Sequence, residues 1–158
     1  MIEVSYLLLK YVHVLGGIVL LGIGSSVAFF MLMAHRSGDA AFIARTAGVV
    51  VLADFVFTAT AMIAQPITGY LLLSEAGYEL SDFWVMLSVG LYILIGFFWL
   101  PVAWMQRCMR TLAEQAVETG APLPDRYHRL FRLWFVFGIP VFGSVLAIVW
   151  LMIAKPMV

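Results

Sequence analysis

Four long apolar segments dominate this chain of 158 residues. They run from about Tyr6 to Ala34, Ala47 to Ser74, Phe83 to Gln106 and Leu130 to Ala154. Each reaches the roughly 20 residues that a helix needs to cross the hydrocarbon core of a bilayer. Inside that core, only helices and closed barrels satisfy every backbone polar group. The sequence therefore predicts four membrane-spanning α-helices.

Composition agrees with an integral membrane protein. Hydrophobic residues make up 64% of the chain, charged residues only 11%, and the mean hydropathy is +1.04. A soluble domain is about half apolar and about a quarter charged. The length suits one compact unit, and short connections favour antiparallel neighbours. We predict a single domain over residues 1–158, an all-α membrane protein folded as an antiparallel four-helix bundle.

The N-terminal segment reads as a retained helix. It carries Glu3 and no basic region before its apolar run, which is far longer than the roughly 7–15 residues of a signal-peptide core. The single cysteine, Cys108, excludes an internal disulfide and covalent attachment of c-type haem.

Basic residues are distributed unequally between the two ends of the predicted helices. Seven arginines flank the first and third connections, namely Arg36, Arg45, Arg107, Arg110, Arg126, Arg129 and Arg132. Only Lys10 and Lys155 lie at the other end. The positive-inside rule places the arginines in the cytoplasm and both termini outside. The third helix is expected to project into the cytoplasm to about Thr119 and to end at Gly120, because the intervening residues are strong helix formers.

The first segment contains a histidine at membrane depth. Lys10, His13 and Gly17 recur at helical spacing, and Leu20, Gly24 and Ala28 continue the same predicted face. Small residues allow another helix or a flat ligand to approach the backbone closely. A titratable side chain inside a membrane helix indicates a functional site by default.

The second segment carries a polar stripe. Its members are Asp54, Thr58, Ala61, Gln65 and Thr68, with Gly69 beside them. Because lipid offers no hydrogen-bond partners, we expect this face to turn into the bundle. Pro66 leaves the carbonyl of Met62 without its helical partner and predicts a kink.

Comparison of depths predicts which side chains share a pocket with His13. Thr68 and Tyr92 are the expected polar members, and Gly17 and Gly69 the expected gaps. His35 and His128 fall at the cytoplasmic surface, either as solvated side chains or as a pair. No cluster of Cys, His and Met has the spacing of a copper site. No phosphate loop or catalytic triad indicates soluble-enzyme chemistry, and no nucleic-acid partner is expected.

Two resemblances add to these observations. The pattern Lys10-x-x-His13, followed by Gly22, Gly24 and His35, resembles the opening helix of HemJ-type protoporphyrinogen oxidases and is similar to CopD-type membrane domains. The whole chain, including QPITGY and FFWLPVAWMQ, is similar to a bacterial family of four-helix predicted integral membrane proteins of unassigned function. The second resemblance implies a bacterial inner (cytoplasmic) membrane.

The first resemblance implies that His13 ligates haem b and that Lys10 meets a propionate, in electron transfer or porphyrinogen oxidation. The second axial position would then be empty, or taken by Met62 or by His13 of another copy in a homo-oligomer. Two alternatives stay open. One is a cofactor-free structural or assembly subunit of a larger membrane complex, with His13 hydrogen-bonded to a carbonyl or to Tyr92. The other is a small transporter or proton relay using Asp54, Gln65 and Lys10.

Overall fold

The computed structural model describes the backbone of residues 2–156 and the side chains of residues 5–156. Its helices are α1 (Ile2–Ser37), α2 (Ala40–Ala53), α3 (Ala59–Ala76), α4 (Phe83–Thr119) and α5 (Asp125–Ala154). One turn of π-helix, Asp54–Thr58, joins α2 to α3 without a break. The described chain therefore forms four continuous helical segments, each long and apolar enough to cross a membrane. The predicted all-α membrane bundle is confirmed.

Local chemistry sets where the helices begin and end. The Asp39 side chain accepts a hydrogen bond of 2.8 Å from the Ala41 amide, so α2 begins at Ala40 rather than near Ala47. Gly120, with φ of 65°, adopts the left-handed conformation that ends α4 after Thr119. These polar ends extend the helices beyond the apolar segments that the sequence marks.

The main core lies at one end of the bundle. We call this the arginine-rich end, because it adjoins the α1–α2 and α4–α5 connections with their seven arginines. α4 packs against α5 and α2, and α1 packs against α3 and α2. The buried side chains of this core are Val27, Met31, Ala34, Ile43, Ala47, Val50, Met105, Met109, Ala113, Tyr127, Leu130, Phe131 and Trp134. At the opposite end, which we call the far end, a smaller cluster is formed by Trp84, Val85 and Leu151.

The first half of α1 packs lightly. No residue between Ser5 and Ser26 is buried, whereas Val27, Met31 and Ala34 are. The far half of α1 therefore touches the bundle along one narrow strip, which faces α3.

Only part of the predicted face of α1 packs against the bundle. His13, Gly17 and Leu20 are partly buried, but Gly24 and Ala28 are exposed. The inward strip continues instead through Ile23 and Val27. The steps from His13 through Gly17, Leu20 and Ile23 to Val27 are 4, 3, 3 and 4 residues, and their average of 3.5 keeps a helix against a partner that it crosses in a left-handed sense. Gly24 and Ala28 were chosen at the spacing of a straight helix, so they lie progressively farther around the helix axis from that partner.

Candidate functional site

His13 forms a hydrogen bond that fixes its protonation pattern. Its Nδ1 lies 2.8 Å from Thr68 Oγ1. The Thr68 hydroxyl donates its proton to the Ala64 carbonyl one turn earlier, also at 2.8 Å. A hydroxyl has one proton to give, so when Thr68 gives it to the Ala64 carbonyl, its oxygen accepts from His13. In this arrangement Nδ1 carries the hydrogen, and Nε2 keeps a free lone pair.

Gln65 holds the backbone at the same level. Its Nε2 donates a hydrogen bond of 2.8 Å to the carbonyl of His13. This approach depends on Gly16, because a Cβ there would overlap the Gln65 amide. Gly69 has a similar role beneath the imidazole, since a Cβ on it would lie 3.2 Å from His13 Cε1. Two hydrogen bonds between α1 and α3 thus position His13 closely.

Other predicted members of the pocket lie elsewhere. Gly17 faces Gln65, at 3.9 Å from a Cβ position to Nε2, rather than the imidazole. Lys10 is exposed, with Nζ 5.8 Å from the Tyr6 ring centroid. The Tyr92 hydroxyl donates to the Met62 carbonyl, not to His13. The structure therefore brings together His13, Thr68 and Gly69 and adds Gly16 and Gln65.

The Met62 side chain does not point toward His13 either. Its Cε lies 3.9 Å from a Cβ position on Gly96, so the thioether points toward α4. Along α3, Met62 is six residues from Thr68, which corresponds to about 9 Å of helix.

The predicted polar stripe separates into two groups. Gln65 and Thr68 belong to the His13 site, whereas Asp54 and Thr58 lie toward the arginine-rich end in the π-helical turn. Asp54 is only 7% exposed, and the side chains of Thr58 and Gln106 face its carboxyl group. In the sequence, Gln106 falls at the end of the third apolar segment and is not among the predicted site residues. Its helical spacing from Ser88, Tyr92 and Trp99 indicates that it lies on the same inward face of α4.

His35 and His128 lie close together at the arginine-rich end. Their ring centroids are 5.7 Å apart, and the His35 ring stacks on Phe131 at 3.7 Å. His35 Nδ1 also lies 3.4 Å from the Tyr127 hydroxyl. Aromatic packing thus accounts for the position of the His35 ring.

A metal ion at His13 would need further ligands from outside the described side chains. Among the described side chains, no group of three His, Cys, Asp or Glu residues could hold an ion together. A porphyrin brings four nitrogen ligands of its own, so a single imidazole with a free Nε2 is sufficient to attach its iron. The tautomer at His13 is the one such a ligand needs, because Nδ1–H is held by a second polar group.

Comparison with known proteins gives one match. No curated protein and no solved structure matches the chain. A family profile described as "Predicted integral membrane protein (DUF2269)" matches residues 7–156, nearly the whole sequence. The match includes the complete His13 and Asp54 regions. The chain therefore belongs to this DUF2269 family of predicted integral membrane proteins.

Proposed function

We propose that this protein binds haem b, or a related metalloporphyrin, through Nε2 of His13 and serves a redox role in the membrane. The observation that carries the proposal is the relay from His13 Nδ1–H to Thr68 Oγ1 and on to the Ala64 carbonyl. This relay leaves Nε2 as a lone-pair nitrogen, with its ring oriented by the Thr68 contact and the close approach of Gly69.

The surroundings of His13 support a flat ligand. The side chains of residues 5–26 are not buried, so α1 presents an open flank at this level. Lys10 precedes His13 by one helical turn and is exposed, where an ammonium can reach the interface and a propionate. When bound, the haem iron supplies one-electron redox chemistry. His13 would supply an iron-binding nitrogen, Thr68 its orientation and the surrounding helices an apolar environment.

Two redox roles agree with this site. The Lys10-x-x-His13 pattern resembles the first helix of HemJ-type enzymes, which suggests oxidation of a porphyrinogen. Electron transfer needs the same ligand without a substrate site. The two roles differ in whether the haem-loaded protein consumes protoporphyrinogen.

An absorption spectrum of the detergent-purified protein tests the proposal. We expect a Soret band, with α and β bands after dithionite reduction, from cells supplied with a haem precursor. His13→Ala removes these bands, whereas His128→Ala at the exposed opposite end retains them. A featureless spectrum of the folded wild-type protein would contradict haem binding.

The Thr68 relay provides a finer test. Thr68→Val keeps the shape of the side chain but removes the acceptor of the His13 proton, and we expect weaker haem retention and a shifted midpoint potential. Thr60→Val is the matched control. Thr60 makes the same type of bond to a carbonyl one turn earlier, at 2.6 Å, but is exposed and distant from His13.

A cofactor-free packing role is the second candidate. It is favoured by the Gln65 bond to the His13 carbonyl, which joins α1 to α3 without any ligand. In that case His13→Gln, which can also donate to Thr68, leaves the protein folded, colourless and functional as a subunit of a larger assembly. A Soret band that depends on His13 excludes this alternative.

A further inference from the structure

A second group of buried polar side chains lies at the π-helical turn. Asp54 and Thr58 are each 7% exposed, and Gln106 of α4 is 1% exposed. An ionisable residue within a membrane helix is costly to bury and marks ion or proton pathways in many proteins. Single π-helical turns inside α-helices occur frequently at functional sites. The two features coincide at Asp54.

Four buried polar side-chain atoms of the π-helical turn, α4 and α5 have no hydrogen-bond partner among the described residues. They are Thr58 Oγ1, Gln106 Oε1, Trp99 Nε1 and Trp134 Nε1. Thr58 faces the Asp54 carboxyl group. Buried polar atoms are normally paired with protein or with ordered water, so these four atoms require an explanation.

Two contacts between neighbouring helices place Trp99 and Thr58 at similar depth in the bundle. Trp99 lies on α4 between Tyr92, which contacts Met62, and Gln106, which faces Asp54. Thr58 lies between Asp54 and Met62 on the facing segment. Both unpaired side chains thus fall between the same two contacts.

The register of α5 adds Trp134 to this region. The rings of Phe98 and Phe137 pack with centroids 5.3 Å apart, which aligns α5 with α4. Trp134 is almost one turn from Phe137 toward the arginine-rich end. It therefore lies opposite the stretch between Trp99 and Gln106, which is about 10 Å of helix.

The unpaired groups are chemically complementary to water. Two indole N–H groups can only donate, the amide oxygen can only accept, and the hydroxyl can do both. Buried water typically makes about three hydrogen bonds to such groups. We propose that these atoms line a hydrated site in the membrane interior, and that Asp54 is its proton-binding group.

A route to solution lies next to this site. Phe55 and Arg107, the residues that follow Asp54 and Gln106, line an open cleft of about 420 Å³ between α2 and α4. Its other lining residues are Gly48, Val51, Leu52, Arg110, Thr111 and Glu114. Its charged lining residues lie toward the arginine-rich end. Asp54 and Gln106 each directly precede a lining residue of this cleft, so the proposed proton exchange of Asp54 is with that side of the membrane.

The charged groups along this route are few. Arg107, Arg110 and Glu114 belong to α4, and Arg110 Nε pairs with Glu114 at 2.7 Å. From the other helices, α1 contributes Val27 and α5 contributes Trp134 to the adjoining core, and neither titrates. Asp54 thus lies next to a cleft that is lined by two arginines and one glutamate.

Labelling with the hydrophobic reagent dicyclohexylcarbodiimide tests proton binding by the full-length protein in vesicles. The reagent adds to a protonated carboxyl group in an apolar environment, and mass spectrometry locates the adduct. We expect label on Asp54 that decreases as pH rises and is lost in Asp54→Asn. The exposed Asp125 and Glu118 are internal controls and stay unlabelled.

Competition by cations distinguishes a proton from a metal ion. Labelling at constant pH should not change when sodium chloride or lithium chloride replaces choline chloride. Protection by Na⁺ or Li⁺ would overturn the proposal in favour of a metal-cation site. Absence of label on Asp54 in the folded wild-type protein would overturn it as well.

Hydration is measured separately through the indole N–H groups. In ¹⁵N-tryptophan spectra, we expect the Trp99 and Trp134 indole hydrogens to exchange with D₂O, with Trp99→Phe and Trp134→Phe assigning the signals. Indoles in a dry interior would stay protected for the lifetime of the fold, and that result would overturn the hydrated site. Neither measurement depends on haem, so failure here leaves the His13 proposal intact.

Discussion

The hydroxyl of Tyr92 donates a hydrogen bond to the main-chain carbonyl of Met62. This is the carbonyl that loses its helical partner because Pro66, four residues later, has no N–H. The sequence alone identified the free carbonyl, and the structure shows that a side chain from α4 occupies it. The contact joins α3 to α4.

Removing the Tyr92 hydroxyl should destabilise the bundle. Tyr92→Phe leaves the Met62 carbonyl unpaired in an apolar environment, and we expect a loss of about 0.6–2 kcal/mol, the usual range for hydrogen bonds between membrane helices. Thermal or steric-trap unfolding in detergent measures the effect.

A double-mutant cycle isolates the cause. Pro66→Ala restores the N–H that can bond the Met62 carbonyl within the helix, so Tyr92→Phe should cost much less in that background. If the cost is equal in both backgrounds, the hydroxyl stabilises the protein by another route.

Gly16 and Gly22 provide a matched pair of substitutions on α1. Gly16→Ala places a methyl group against the Gln65 amide, breaks the bond to the His13 carbonyl and should destabilise the protein by about 0.5–1.5 kcal/mol, the usual contribution of a hydrogen bond. Gly22→Ala meets no atom within 4 Å and should be neutral or stabilising by up to about 1 kcal/mol, because alanine favours helix.

The same unfolding assay measures both variants, and shortening Gln65 tests the mechanism. In a Gln65→Ala background, the methyl group at position 16 has space, so most of the penalty of Gly16→Ala should disappear. A penalty that persists would locate the conflict in the helix itself rather than in the contact with α3.

The tautomer of His13 can be observed without any cofactor. The Thr68 relay predicts that the cofactor-free protein holds its imidazole with hydrogen on Nδ1, which ¹⁵N chemical shifts of labelled histidine report directly. Thr68→Val should release this preference, and Thr60→Val should not. A dominant Nε2–H tautomer in the wild-type protein would remove the basis of the ligand proposal.

The orientation of the chain is testable by cysteine labelling. With Cys108 replaced by serine, single cysteines are placed at Leu80, in the α3–α4 connection, and at Ala121, in the α4–α5 connection; both positions are exposed. The arginine distribution predicts that a membrane-impermeant maleimide on intact cells labels Leu80→Cys and not Ala121→Cys. The reverse pattern would invert the predicted topology.

The sequence was informative about depth and less so about rotation. Spacing and segment length in the sequence predict the helices, the free carbonyl of Met62 and the similar depth of His13 and Thr68. Spacing and length do not predict the hydrogen-bond partner of Tyr92, nor that Ile23 rather than Gly24 faces inward. Both depend on the rotation of each helix about its own axis. A drift of about 20° per heptad separates a straight helix from one that follows its neighbour.

Gln106 illustrates the same limit. Its position beside Arg107 suggested the edge of the membrane, and the structure buries it against Asp54. Contacts across antiparallel helices depend on the register of two segments at once, which one sequence does not determine. The separation of the polar stripe into two groups follows from that register.

The uneven core gives the protein a gradient of local stability. The buried side chains of α1 begin at Val27, so the arginine-rich end holds the helices together while the first half of α1 rests on the strip against α3. In lipid, separating that half exposes no apolar surface to water and sacrifices only packing and the two hydrogen bonds at His13. Separating the N-terminal half of α1 from α3 therefore costs less free energy than separating the half that contains Met31.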